Sequence, residues 1–516
     1  MAQTKQIKRV LIVGGGSAGW LTACVLAATH SHEVEITLIE SANIATIGVG
    51  EGTWPTMRNT LEKIGITEGE FIQRCDASFK QGSEFVNWAK AQNHSYYHPF
   101  SLPVGFEQDI DMVSPWLTVK DKVDFAHAVS AQAYWCDENK APRLPSDIQF
   151  AGKANYGYHL NADKFAKLLK EHATERLGVK LIVDDVCKVL GDNDGDILAV
   201  TSIDHGQITA DLFIDCTGSK SLLLGEHFKV SWLSQKHILK NDSAVAVQVM
   251  HSDEQAKIAS CTKSTAQPYG WIWDIALPTR RGIGYTFASE YCDFDTAKLQ
   301  LANYITDQGL EAPAPSTFKE IKFNPGFREK LWHNNCVAIG MSAGFLEPLE
   351  ASALVMIELS AQYLIDNFPK THSMMNVVAN RFNAKFVYRW HRIIDFLKLH
   401  YVLSSRDDTA YWQTMRAEHI PQTLQELLLL WQYQPPKHSD LDHIDEVFSA
   451  ASYQYVLFGM GFSSTLYQSA WSDQINHEVI NTLFKQVTQN AQRGLGTLPT
   501  NRDLLTNITK FGISTI

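Results

Sequence analysis

The chain has 516 residues, 45% hydrophobic and 20% charged, which is ample for a large core and long for one compact domain, so two interleaved domains are expected. Forty-five Lys and Arg against 56 Asp and Glu give a net charge of −11, and no run of five basic residues occurs, which argues against a binder of nucleic-acid backbone. The composition excludes disordered and collagen-like chains, and no stretch of about 18 uninterrupted apolar residues exists to span a membrane. Eight cysteines without a C-x-x-C pair read as reduced thiols of a cytoplasmic protein, not as a disulfide frame or zinc site.

Lys5, Lys8 and Arg9 followed by an apolar run to Ala28 imitate a signal peptide. Three glycines, 14 to 16, interrupt that run in the pattern of a strand (9–13), a turn and a helix (18–28), and a second strand (34–39) ends in Glu40. Gly14-x-Gly16-x-x-Gly19, with Ser17 and Ala18 inside it, thus follows a strand and opens a helix, and Glu40 stands 21 residues beyond Gly19. Glycines let backbone approach a pyrophosphate, the helix N-terminus favours its charge, and the acid can hold ribose hydroxyls, so an ADP-containing cofactor is expected. The fingerprint does not distinguish FAD from NAD. Further on, 67–75 reads as a helix with a capping box (Thr67, Glu70) and a staple (Ile66, Phe71). The segment 211–215 reads as a late strand running into Cys216-Thr217-Gly218. Residues 245–287 alternate apolar and polar as in antiparallel sheet, and after Glu347 a 3.6-residue period predicts helices near 352–367, 374–402 and 421–433.

Two segments favour FAD. DLFIDCTG (211–218) resembles the second flavin-contact segment of FAD monooxygenases. VAIG (337–340), with Ile339 and Gly340, resembles the third, where it leads into a new helix, although Met341 stands where an acid is usual. There is no second glycine fingerprint for a nicotinamide cofactor, so electrons for the flavin are expected from another protein.

Six further stretches carry a resemblance to one family: GGGSAGW (14–20), GVGEGTWP (48–55), ASFKQG (77–82), GWIWDI (270–275), GFLEPLE (344–350) and DFLKLHYVLSSRDDTAYW (395–412). Together, in this order, they resemble the flavin-dependent halogenases usually called tryptophan halogenases, from residue 8 to about 460. The resemblance implies a mixed α/β (α+β), FAD-monooxygenase-like fold with a Rossmann-type FAD-binding domain, an antiparallel substrate-side sheet and a mainly helical carboxyl-terminal region. The expected domains are a discontinuous module over 1–350, with the sheet inserted around 77–160 and 230–330, and a capping region over 351–516.

In that family, reduced FAD, oxygen and chloride or bromide yield hypohalous acid, which passes through a tunnel to a lysine beside the aromatic substrate. The matching residue is Lys80, which as an ammonium could hydrogen-bond the acid or as an amine could form a haloamine. Pro348 suits a first helical turn and would place Glu350 in it. By family position Glu350 lies near the lysine, able to polarise the reagent or take the ring proton; its plainer role is to complement a helix dipole. Glu347 reads as structural. Halide is expected on backbone amides at Ser352 and Ala353, and Gly50 joins the cofactor residues. Trp271 and Trp273 share a strand face; with Ile275 they match the family hallmark that keeps substrate from the flavin, except that Ala276 replaces a proline.

His98 and Phe100 match a segment that sandwiches the substrate ring, and Phe448 falls where a stacking tryptophan would be. The tyrosine pair and the glutamate that hold an amino-acid group are missing from 434–452, so an indole or other arene, free or carrier-bound, is expected in place of free tryptophan. The resemblance also implies a separate flavin reductase, acting transiently or through freely diffusing flavin, and a homodimer. No nucleic-acid or membrane partner and no metal are expected. A flavin monooxygenase that hydroxylates its substrate is the rival reading, and a flavoprotein without turnover the third.

Overall fold

A computed structural model describes residues 5–44, 50–191, 195–462, 464 and 477–514; Gly48 and Val49 of the GVGEGTWP motif lie outside them. Its contacts divide the chain into two units. The first comprises Met1–Ala77, Leu160–Gln235 and Asn324–Trp390, and the second Ser78–His159, Lys236–Phe323 and His391–Ile516. The carboxyl-terminal division falls at 390/391, not at 350/351. The reason is that helix Ser352–Asp366 lays its buried residues against helix Ser17–His30 of the first unit.

The first unit is built on a six-stranded sheet in the order Trp332–His333, Cys336–Ala338, Leu212–Asp215, Arg9–Val13, Glu35–Glu40, Lys180–Val183. All neighbours are parallel except the Trp332–His333 edge. From the central strand Arg9–Val13 the chain moves outward on one side and returns on the other at Leu212–Asp215. The carboxyl ends of these two strands therefore flank the crevice where doubly wound sheets bind ligands. Helix Ser17–His30 is buried continuously from Gly19 to Ala27, as a helix apolar all round must be, and packs against helices Ala162–Glu175 and Ser352–Asp366.

Three local expectations are altered. The capping box at Thr67 forms by half. Its hydroxyl accepts from Glu70 N at 3.2 Å, but the Glu70 carboxylate turns to Arg74 and Arg176. After 337–340 the chain makes a short 3-10 turn, Gly340–Ser342, in place of a new helix. Nor does a helix begin at Pro348. A turn closes with Ala351 N donating to Pro348 O at 3.2 Å, and the helix starts at Ser352.

The second unit holds a seven-stranded sheet in the order Lys319–Lys322, Ser243–Met250, Arg280–Phe287, Gly270–Ala276, Thr262–Gln267, Gly82–Val86, Ser95–Pro99. It is antiparallel but for Thr262–Gln267 against Gly82–Val86. Val245, Val247, Ile272, Ile283, Tyr285 and Phe287 pack on one face with Ala297, Leu301 and Ile305 of helix Phe294–Asp307. The alternate residues occupy the other face, where register lines up Tyr96, Phe85, Ser264, Trp273 and Gly284, with Ser83, His98 and Thr262 one row away. A short ladder, Ser78–Lys80 against Gly157–Leu160, leads directly into this sheet. Among the described residues no helix is long and apolar enough to cross a membrane.

Candidate active site

In the first unit the expected cofactor residues gather at the sheet crevice. Gly14 takes φ +112°, donates its N–H to Ile39 O at 2.9 Å, and a Cβ there would drive into the Cys216 carbonyl. A Cβ on Gly19 would strike Gly14 O, so this glycine sets the close seating of helix on turn. Gly16 differs: a Cβ would meet nothing within 4 Å. Open space therefore stands before the helix whose first turn begins with Ser17 and Ala18 and carries no acidic residue. This is the cradle a pyrophosphate requires.

Glu40 lies beside the same turn, against Gly15. Its Oε2 accepts from Trp20 Nε1 at 3.0 Å, and Oε1 pairs with Lys170. A carboxylate has about four acceptor positions, so capacity for ribose hydroxyls remains. Gly50 takes φ +98°, and Gly340 takes φ +76° with its α-carbon so close that a Cβ would lie 2.7 Å from Ala18 Cβ. Ile339 donates its N–H to Asp215 O at 3.0 Å, which ties the 337–340 segment to the strand end. The residues present fit an FAD in its usual crevice.

Glu350 is buried and stands two residues ahead of the helix it was expected to join. Trp54 Nε1 takes its carbonyl at 2.9 Å, and Ala351 adopts a left-handed conformation, φ 53° and ψ 41°. Both deny the helix an earlier start; the left-handed residue costs roughly 1 kcal/mol. Ser352 is buried and Ala353 exposed at the opening turn, which has neither a side-chain cap nor an acid. The two line a cavity of about 50 Å³ with Gly340, Met341, Pro348 and Phe386. Free helix-start amides of this kind suit an anion.

In the second unit Lys80 is 1% exposed, so it is not a solvated surface lysine. Cross-strand pairs share a face, so Ser78 and Lys80 lie with His159 and Gly157, while Phe79 packs on the other side against Tyr156 and Tyr158. The Lys80 Nζ sits 5.3 Å from the Phe100 ring centroid, within cation–π range. His98 is buried, 5.8 Å from Phe396 and 6.1 Å from Tyr455 between ring centroids. Lys80 and Phe100 are thus brought together where Ser78–Lys80 leads into Gly82–Val86, which pairs with Ser95–Pro99, the strand that carries His98.

Trp271, Trp273 and Ile275 do share a face, and its shape depends on the neighbouring strand. Gly284 stands opposite Trp273, and Gly282 opposite Ile275. A Cβ on Gly284 would enter the Trp273 ring, so the glycine is what lets the indole lie flat on the sheet. Trp271 is fully buried and touches Trp88, which in turn meets Tyr401 and Trp412. The 395–412 stretch therefore closes over this face by packing.

Phe448 is buried too, stacked on Phe396 with centroids 3.8 Å apart and planes at 10°. Its partner ring is supplied by the protein. Two acids of the 434–452 segment accept hydrogen bonds from nearby residues. Asp440 accepts from Trp431 Nε1, Gln434 Nε2 and Lys437 N, and Glu446 accepts from His443 N.

Sequence reasoning missed three residues. Asp215 is buried and accepts from Thr217 N and Oγ1, Ser221 Oγ, Leu223 N and Leu224 N at 2.6–3.1 Å, which folds the 215–224 turn; an acid at a strand end before Thr-Gly-Ser is its only trace. His159, fully buried, places Nε2 2.8 Å from Thr262 Oγ1. Burial and the nearby Lys80 charge push it well below the usual histidine range. A histidine inside an apolar GYHL strand was the available signal. Glu358 is held by Thr60 Oγ1 at 2.6 Å and Thr56 Oγ1 at 3.2 Å, and burial pushes it up to about 7.

The family profile described as "Tryptophan halogenase" matches residues 9–473. The structure is similar to a crystal structure of tryptophan halogenase from Shewanella frigidimarina, with a TM-score of 0.94, 47% identity and 99% of each chain covered. It is similar to the tryptophan C-6 flavin-dependent halogenase (chlorinase) from taromycin biosynthesis, with a TM-score of 0.91, 32% identity, 97% of this chain and 100% of that one. Tryptophan 6-halogenase SttH of Streptomyces toxytricini is 33% identical over 479 residues, 89% of this chain and 90% of that protein.

Proposed function

Because the chain belongs to the tryptophan halogenase family of flavin-dependent halogenases, we propose that it uses reduced FAD, oxygen and chloride or bromide to form hypohalous acid and place the halogen on an electron-rich aromatic carbon beside Lys80. The observation that carries this reading is the setting of Lys80: a buried lysine against the ring of Phe100, which directly follows the strand that carries His98. Bound FAD supplies the oxygen-activating redox chemistry. The chain's own part is to seat it on the Gly14–Gly19 turn with Glu40, offer Ser352 and Ala353 amides to halide, and hold the reagent at the Lys80 amine or ammonium. Glu350 serves the same reaction by polarising the reagent or accepting the ring proton, and Trp271, Trp273 and Ile275 keep the arene from the flavin. Burying these groups strengthens their electrostatics and excludes water from a reagent that water would consume.

The substrate of this reading is an indole or other arene, not free tryptophan. Phe448 has one face covered by Phe396, and the 434–452 segment lacks the tyrosine pair and the glutamate that would hold an amino-acid group. Reduced flavin comes from a separate reductase.

The test is incubation with FAD, a flavin reductase, NADH, oxygen, bromide or chloride, and a mixture of indoles, phenols and free tryptophan. Mass spectrometry reads halogen isotope pairs, with Lys80→Ala run in parallel under catalase. Halogenated arene, lost in the variant, is the expected result. Oxygenated product without halogen overturns the halogenase reading, and preferential turnover of free tryptophan overturns the substrate.

A further inference from the structure

Two side chains that no dinucleotide fingerprint specifies hold Glu40. Trp20 is 1% exposed, and its indole N–H, a donor that needs an acceptor once buried, goes to Glu40 Oε2 at 3.0 Å. Lys170 stands on helix Ala162–Glu175, which packs on helix Ser17–His30 with Cys24 Sγ 3.4 Å from Leu169 O. Its ammonium pairs with Glu40 Oε1. Gly15 makes the room, because a Cβ there would overlap the Glu40 carboxylate. The fingerprint leaves this middle position open to any residue, so the third glycine of the run answers to Glu40.

An ionised carboxylate offers about four acceptor positions, two on each oxygen. Trp20 and Lys170 fill one on each, and one on each remains, which matches the two adjacent hydroxyls of a ribose. Charge enters as well. The open cradle before Ser17 and Ala18 lies on the same turn, and an uncompensated carboxylate beside it would repel the pyrophosphate that the cradle suits. Lys170 is the cation paired with Glu40. On the same helix Lys167 pairs with Glu171, and Glu171 also with Arg74.

We propose that Trp20 and Lys170 are positioning residues for the ADP half of the flavin, holding the Glu40 carboxylate so that one acceptor position of each oxygen is kept for the ribose diol, with Lys170 also offsetting its charge beside the pyrophosphate. Both act through Glu40. Their role rests on the reading of this crevice as an FAD site and adds what selects the adenosine end: a ribose that carries both hydroxyls.

The experiment titrates the full chain with FAD by fluorescence quenching and displaces the FAD with ADP or 2′-deoxy-ADP, with melting curves alongside. Wild type, Trp20→Phe, Lys170→Met and Lys170→Arg are compared. Trp20→Phe should weaken FAD and ADP together by about tenfold, the worth of a hydrogen bond to a charged group. Lys170→Met should weaken both by about threefold at low salt, a penalty that shrinks as salt screens the charges, and Lys170→Arg should restore most of it. The wild-type preference for ADP over 2′-deoxy-ADP, about tenfold, should fall below about fivefold in both loss variants. A structural role alone lowers the melting temperature and leaves that preference in place. If Trp20→Phe does not fold, the half-exposed Lys170 decides: an unchanged preference in Lys170→Met overturns the inference. Tighter FAD binding in Lys170→Met also overturns it, since the lysine would then compete with the ribose for Glu40. A wild-type chain that binds neither FAD nor ADP overturns the FAD reading itself, whereas wild-type binding beside unaltered variants overturns only the role of Trp20 and Lys170.

Discussion

Glu358 offers a quantitative test of the first unit's architecture. Its carboxyl lies on helix Ser352–Asp366 and faces helix Thr56–Ile64, where Thr60 and Thr56 hold one oxygen each. Thr60 Oγ1 is also 3.3 Å from Thr56 O. One hydroxyl proton cannot serve both, but a protonated Glu358 can donate to Thr60 while Thr60 donates to Thr56 O, so every group is satisfied in the neutral state. Burial raises this carboxyl from 4.5 to about 7. The sign follows from linkage. Between these values the folded state keeps a proton that the unfolded chain has released, so stability falls as pH rises through that window, and the whole cost stands above pH 7. A shift of 2.5 units at 1.36 kcal/mol each corresponds to about 3 kcal/mol. Glu358→Gln is neutral at every pH and keeps one donor and one acceptor. Relative to wild type it should raise stability by up to about 3 kcal/mol at pH 8.5 and by under about 0.5 kcal/mol near pH 4.5. Urea midpoints followed by intrinsic fluorescence at the two pH values measure the difference, in which other titrating groups cancel. Equal effects at both pH values, or a loss at pH 8.5, would refute the assignment.

The glycines of the turn should separate fold from cofactor binding. Gly16→Ala should leave the melting temperature within a degree or two and weaken FAD binding, because its Cβ would project into open space; Gly14→Ala should destabilise the unit, since φ +112° and the Cys216 carbonyl both oppose a side chain. FAD titration by fluorescence quenching alongside melting curves distinguishes them. Gly284→Ala should cost about 1–3 kcal/mol by forcing the Trp273 ring from the sheet, and should lower the ratio of halogenated to oxygenated product if Trp273 keeps arene from flavin. Phe448→Ala should cost about 3–5 kcal/mol in denaturant unfolding, as a core ring does. A change below about 1 kcal/mol would mean that the ring lines a pocket instead of the core.

The dinucleotide turn was legible in the sequence because every part of it is local. The glycines, the following helix and Glu40 lie within one strand–helix–strand unit, and their spacing alone fixes which backbone can approach which. The alternation over 245–287 likewise determined a sheet with Trp271 and Trp273 on one side, because side-chain direction in a strand has period two. Family motifs located Lys80 and Glu350 without any geometry. Local pattern misjudged the helix start after GFLEPLE: Pro348 is a good first residue, but Trp54, almost 300 positions earlier, takes the Glu350 carbonyl, and Ala351 turns left-handed.

Long-range pairing decided the rest. The burial of Lys80, its diagonal neighbour His159, the glycine that seats Trp273 and the ring that covers Phe448 each depend on a strand or helix from another part of the chain. A sequence specifies the face on which a side chain stands; which partner meets it there is set by register and packing across the sheet. The chemistry expected of this protein was therefore written in its motifs, while the burial of the groups expected to perform it was decided only when distant segments closed around them.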